Sequence, residues 1–143
     1  MPALAKRGVP LIGLTLALAA AAPAASAAIA AEAPLGIWQN PAGTVRVRTN
    51  LCSGGTLCGR VIWATAGAIA DAQAGGTRQL IGTELMHDYR PSGPGLWRGR
   101  VYVPDMGATF FSRISQIDGD HVRVSGCILG GLLCKSQIWT RPG

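Results

Sequence analysis

The apolar residues of this chain come in short alternating runs rather than at the three-and-four spacing of helices. Thr44 to Asn50 sets Val45 and Val47 against Arg46 and Arg48, and Leu96 to Val103 sets Trp97, Gly99, Val101 and Val103 against Arg98, Arg100 and Tyr102. His121 to Ile128 places Val122 and Val124 opposite His121, Arg123 and Ser125. A period of two is the signature of a strand with one face buried. The same reading gives strands at Gly36–Gln39, Leu57–Ala64, Gln79–Tyr89, Ala108–Ile117 and Leu133–Arg141. In Leu57–Ala64 the alternation groups Leu57, Val61 and Trp63 on one face, opposite Cys58, Arg60 and Ile62. Gly82 marks a break or bulge in the strand that contains it.

Turn chemistry separates these runs. Asn40-Pro41-Ala42-Gly43, Pro91-Ser92-Gly93-Pro94-Gly95, Pro104-Asp105-Met106-Gly107 and Asp118-Gly119-Asp120 are hairpin-length connections. Eight strands so joined predict an all-β fold, an antiparallel up-and-down barrel of about eight strands. A two-sheet sandwich is the alternative, which the succession of short hairpins disfavours. Residues 65–78 are the exception: Ala- and Gly-rich, they read as one long loop with room for a helical turn. Such a loop is either a lid or binding loop, or a solvated connection.

The amino-terminal segment does not share this pattern. Lys6 and Arg7 precede an apolar run from Leu11 to Ala22, followed by the small residues Pro23 to Ala28. This is the layout of a secretory signal peptide over 1–27, cleaved near Ala27, leaving one domain over 28–143. The apolar run is shorter than a bilayer-spanning helix requires. The expected location is therefore periplasmic or secreted, and the protein is not expected to span the membrane.

Export changes the reading of the cysteines. Cys52 and Cys58 flank Ser53-Gly54-Gly55, and Cys127 and Cys134 flank Gly130-Gly131, so each pair can meet across a hairpin. Two local disulfides are the first expectation. Crossed pairing is the second, and a metal site the third, with spacings wider than zinc ligands usually show and no His nearby.

The charge balance narrows the partners less. Of 13 basic residues two lie in the leader; the remaining 11, against seven acidic residues, give the mature chain a net charge of +4. All but Lys135 are Arg. Arginine forks suit carboxylates and phosphates, such as a fatty acid or an anionic envelope polymer; codon usage in a GC-rich genome explains the same excess. The arginines look scattered through the strands rather than clustered, which, with export, argues against nucleic acid as a partner.

No catalytic constellation emerges. His87 and His121 lie on strands near turns, and Asp88, next to His87, points to the opposite face. There is no Gly-x-Ser-x-Gly elbow, no His/Glu metal spacing and no phosphate-cradling glycine loop. Asp105, Asp118 and Asp120 are turn formers. The expectation is no enzyme, no cofactor and no metal.

Gly36-Ile37-Trp38 resembles the Gly-x-Trp signature of lipocalins and related barrels. That resemblance implies structural roles for Gly36, Trp38 and a terminal-strand arginine, Arg141, lying over the tryptophan at the closed end. More extensively, the chain resembles the bacterial domain-of-unknown-function family 2147. The resemblance rests on Leu57-Cys58-Gly59-Arg60-Val61-Ile62-Trp63, Asp71, Leu80-Ile81-Gly82 and Trp97-x-Gly99-x-Val101-Tyr102-x-Pro104-Asp105-x-Gly107. Val124-x-Gly126-Cys127 and Ser136-Gln137-x-Trp139-Thr140-Arg141 complete it. It implies an exported lipocalin-like barrel that binds a small amphipathic molecule. The chain departs from the pattern at Gln73–Arg78, which replaces a more basic loop, and at Phe110, where Tyr is usual.

Two functions follow from different classes. One is a carrier of a small hydrophobic or amphipathic ligand, anionic ones included, with Trp63, Met86, Trp97, Val101, Phe110 and Val124 lining the lumen and Arg60 or Tyr102 supplying a polar anchor. The other is a structural or protein-interaction module of the envelope whose lumen is packed core. A contiguous cavity of roughly 300 Å³ or more separates them.

Overall fold

The computed structural model describes residues 8, 10–13, 16–18 and 33–143; most of the segment read as a signal peptide, its cleavage site included, lies outside the described residues. Among the described residues, eight strands form one closed antiparallel barrel in sequential order. They are β1 (Gly36–Gln39), β2 (Val45–Leu51), β3 (Leu57–Ala64), β4 (Glu84–Gly93), β5 (Leu96–Val103), β6 (Ala108–Gln116), β7 (His121–Ile128) and β8 (Leu133–Thr140). No described helix is long and apolar enough to cross a membrane.

Two elements differ from the sequence reading. The 65–78 segment contains a nine-residue helix, α1 (Ala66–Ala74). It starts where the Thr65 side chain accepts a bond from the amide of Ala68, 3.2 Å away, and alanine supplies the propensity that the lack of an apolar stripe concealed. The fourth strand starts at Glu84, because Leu80–Thr83 is a turn that pins Val61: Val61 N donates to Thr83 O and Gly82 N to Val61 O.

The barrel has a packed end and an open end. At the packed end Trp38, Val47, Leu57, Val61, Tyr89, Trp97, Ile114 and Val122 are buried inside. Tyr89 Oη donates to Ser112 Oγ at 2.6 Å, so the phenol is satisfied across the core, and its burial pushes its pKa above the usual tyrosine range. Gly99 makes this crossing feasible, since a Cβ there would fall 2.7 Å from the Tyr89 ring.

The same end is closed by one residue from each end of the domain. Arg141 lies over the Trp38 ring, 4.1 Å from its centroid. Its Nη1 donates to Leu35 O at 2.8 Å and its Nε to Gly119 O at 3.0 Å. Trp38 Nε1 donates to Pro34 O at 2.9 Å. Gly36 has a φ of +112°, and a Cβ there would lie 2.5 Å from Arg141 Nη1; the glycine provides both the dihedral and the room.

The seam between first and last strands is minimal. β1 meets β8 through the single register pair Gln39↔Thr140, because Asn40 ends β1 by accepting bonds from Thr44 N and Val45 N at 2.8 and 2.9 Å. Residues Leu133–Ile138 of β8 thus have β7 on one side and no β1 partner on the other. Both disulfides form as local bridges, Cys52–Cys58 at the packed end and Cys127–Cys134 at the open end.

Candidate functional site

The open half of the barrel encloses a cavity of about 740 Å³. Its inner wall is apolar: Leu80, Leu85, Val101, Phe110, Val124 and Trp139. Strand alternation explains the last wall. On β8, Leu133, Lys135, Gln137 and Trp139 share one face, opposite Ile128, Gly126, Val124 and Val122 of β7. Trp139 is buried near the floor while Lys135 and Gln137, higher up, remain exposed although they line the cavity. The cavity therefore reaches solvent along the upper part of β8, where the seam with β1 is absent.

Helix α1 lies against this opening. Ala68, Asp71 and Ala72 contribute to the lining. Gly75 holds the end of the helix against the β5–β6 turn, since a Cβ there would collide with the backbone of Asp105. Thr77 completes the dock: its hydroxyl donates to Pro104 O at 2.8 Å and accepts from Tyr102 Oη at 2.7 Å. The 65–78 segment is thus a docked helix and turn, and Asp105 from the turn joins Asp71 at the rim. Lys135 is the one cation among the described lining residues.

The residues expected to line the lumen divide. Val101, Tyr102, Phe110 and Val124 border the cavity. Met86 and Trp97 point inward but are consumed by the packed core below it. Trp63 and Arg60 lie outside, which corrects the alternation read from sequence. The register shifts between Arg46 and Val47: Val47 faces Val61, yet Arg46 faces Trp63. The extra residue, Ile62, forms a β-bulge that turns the strand over. Trp63 is consequently 40 % exposed, with the Arg46 guanidinium 4.9 Å from its ring centroid. Arg60 donates to Gly82 O at 3.1 Å on the outer surface and approaches Glu84 at 3.9 Å.

Sequence reasoning missed Lys135, Gln137 and Trp139 as lining groups. The signal was there in β8, where parity with Trp139 places all three on one face.

Both histidines are engaged outside the cavity. His87 Nδ1 lies 2.9 Å from Glu84 and His121 Nδ1 lies 2.8 Å from Asp118. Bonds from Asp120 N and His121 hold the Asp118 carboxyl below the usual range. Cys52, Cys58 and Glu84 come together, but the two sulfurs are joined to each other, which removes them as metal ligands.

Comparison with known proteins agrees with this architecture. A bacterial family described as "Uncharacterized protein conserved in bacteria (DUF2147)" matches residues 36–141. No curated protein matches. Among solved structures, one titled "Protein HP1028 from the human pathogen Helicobacter pylori belongs to the lipocalin family" is similar, with a TM-score of 0.60 at 16 % identity. The match covers 78 % of this chain and 84 % of that one. At that identity the likeness speaks for the fold.

Proposed function

Because this chain belongs to the bacterial family DUF2147 and folds as a lipocalin-like barrel, we propose that it is an exported, non-catalytic carrier of one small amphipathic molecule. The observation that carries the reading is the cavity of about 740 Å³. It falls in the range of roughly 300–1,000 Å³ typical of small-molecule sites and combines an apolar wall with a few polar groups. The ligand's apolar part lies among Leu85, Phe110, Val124 and Trp139. Its polar end lies at the rim, where Lys135 and Gln137 offer donors to a carboxylate or similar anion.

The non-catalytic part is supported by what lines the space. The titratable groups there are Asp71, Tyr102, Asp105 and Lys135, while both histidines are paired elsewhere. Export is supported by the leader's layout and by the bonding of all four cysteines in disulfides. The open volume above the packed half favours this reading over its rival, a structural module with a filled interior.

Native mass spectrometry of protein isolated from the periplasm tests the proposal. The expected spectrum shows one small molecule per chain, released on denaturation. A bare mass that stays bare after incubation with dodecanoate would overturn it.

A further inference from the structure

The arginines that look scattered in sequence are brought into one row by the strand register. Arg90 of β4 faces Arg98 of β5, and Arg98 faces Arg113 of β6. All three are exposed on the outer wall, as is Arg100 one row above, opposite Phe111. Like charges directly across neighbouring strands oppose pairing, so this row costs the barrel stability. Among the described residues no carboxylate pairs with any of the four; Glu84 is taken by Arg60 and His87, and Asp88 forms no ion pair with them. The row continues through Ser125 and Ser136, whose hydroxyls bond at 2.7 Å.

An apolar projection stands beside this row. The β7–β8 connection folds toward β6, where Arg113 Nη2 meets Gly131 O at 3.5 Å and the guanidinium lies 5.8 Å from the Phe111 ring centroid. The connection carries Leu129 and Leu132, 71 % and 88 % exposed. Ile128 and Leu133 flank them and also line the cavity. The Cys127–Cys134 bridge ties the base of this tip, so its leucines are presented outward on an anchored turn. Exposed leucines gain nothing from water, and an anionic polymer offers them no partner. A lipid bilayer with phosphate headgroups offers partners to both features, headgroups for the arginines and acyl chains for the leucines.

We propose that this outer face, Arg90, Arg98, Arg100 and Arg113 with the Leu129/Leu132 tip, docks on an anionic membrane surface. It brings the rim of the cavity, at Ile128 and Leu133, to the lipid. The proposal does not depend on a ligand being carried.

Sedimentation with vesicles tests it. Vesicles of phosphatidylcholine with phosphatidylglycerol are compared with phosphatidylcholine alone, and polyphosphate serves as a soluble anionic competitor. Binding is expected only to the anionic vesicles, falling steeply with salt. Each Arg→Gln change at 90, 98 or 113 should weaken it by about fivefold. Leu129→Ser with Leu132→Ser should weaken vesicle binding at least tenfold while leaving polyphosphate binding unchanged. Thermal unfolding at or above the wild-type temperature shows that the barrel of each variant is intact, since losing one of the facing charges relieves repulsion. No binding to anionic vesicles, equal binding to neutral ones, or insensitivity to the leucine changes would each overturn the proposal.

Discussion

Arg141 and Trp38, separated by nearly the whole domain in sequence, close the packed end of the barrel by stacking at 4.1 Å. The stack joins the first strand to the residues after the last, which is where the register supplies only one pair. The Trp38–Arg141 contact thus substitutes for missing ladder bonds at the seam, and the stability of the closed form concentrates there.

Trp38→Ala is expected to destabilise the domain by about 3–5 kcal/mol, as truncation of a large buried aromatic does. Arg141→Ala should cost less, about 1–2 kcal/mol, since it loses one cation–π contact and bonds at a partly exposed site. Urea unfolding followed by tryptophan fluorescence measures both. A loss under 1 kcal/mol for Trp38→Ala would mean that this contact does not hold the floor.

Gly36→Ala combines an unfavourable dihedral with a collision at Arg141 Nη1. We expect it to destabilise by about 1–3 kcal/mol and expect Arg141→Ala to relieve part of that cost in the double variant. Strict additivity in the double-mutant cycle would disprove the steric part.

Alkaline pH should weaken the fold through Tyr89. Its pKa is raised in the folded state by desolvation, with the Ser112 bond pulling the other way. A group raised on folding contributes its stability below the unfolded pKa, about 10 for tyrosine, and loses it as pH climbs toward the folded value. Stability should therefore decline from about pH 10 upward. Tyr89→Phe should flatten that decline while lowering neutral-pH stability by about 1–2 kcal/mol, the worth of one buried hydrogen bond. An unchanged alkaline slope in Tyr89→Phe would remove Tyr89 as its cause.

Both bridges are local, so the folded protein, denatured without reductant, should yield no titratable thiol. Two or more thiols per chain in a thiol-reagent assay would contradict the Cys52–Cys58 and Cys127–Cys134 pairing.

Much of the fold was legible because its local rules agree. Period-two runs such as Val45–Val47 and Val122–Val124, with Asn-Pro and Asp-Gly turns between them, specify consecutive hairpins without knowledge of distant contacts. Three features were not legible, each for a physical reason. α1 has no amphipathic stripe, so only its alanines and the Thr65 cap announce it. The bulge at Ile62 is a register event between β2 and β3, and no pattern within β3 reveals that Trp63 turns outward. The arginine row exists only across strands: Arg90, Arg98 and Arg113 look scattered until pairing aligns them. The cavity was half legible. Val101, Phe110 and Val124 follow from alternation, but whether an inward residue meets core or empty space depends on the barrel's taper, which put Met86 and Trp97 in the core.

The central claim, that the upper barrel is a ligand chamber, is tested most directly by isothermal titration of delipidated protein with dodecanoate, comparing wild type with Gly126→Leu. Gly126 lines the cavity, and a Cβ there would meet only Val101 at an ordinary 3.7 Å, so a side chain can be started at this position without a clash and leucine takes up part of the chamber. The account predicts one site per wild-type chain and at least a tenfold weaker site in Gly126→Leu at unchanged thermal stability. Equal affinity in both proteins, or no binding to either, would contradict it.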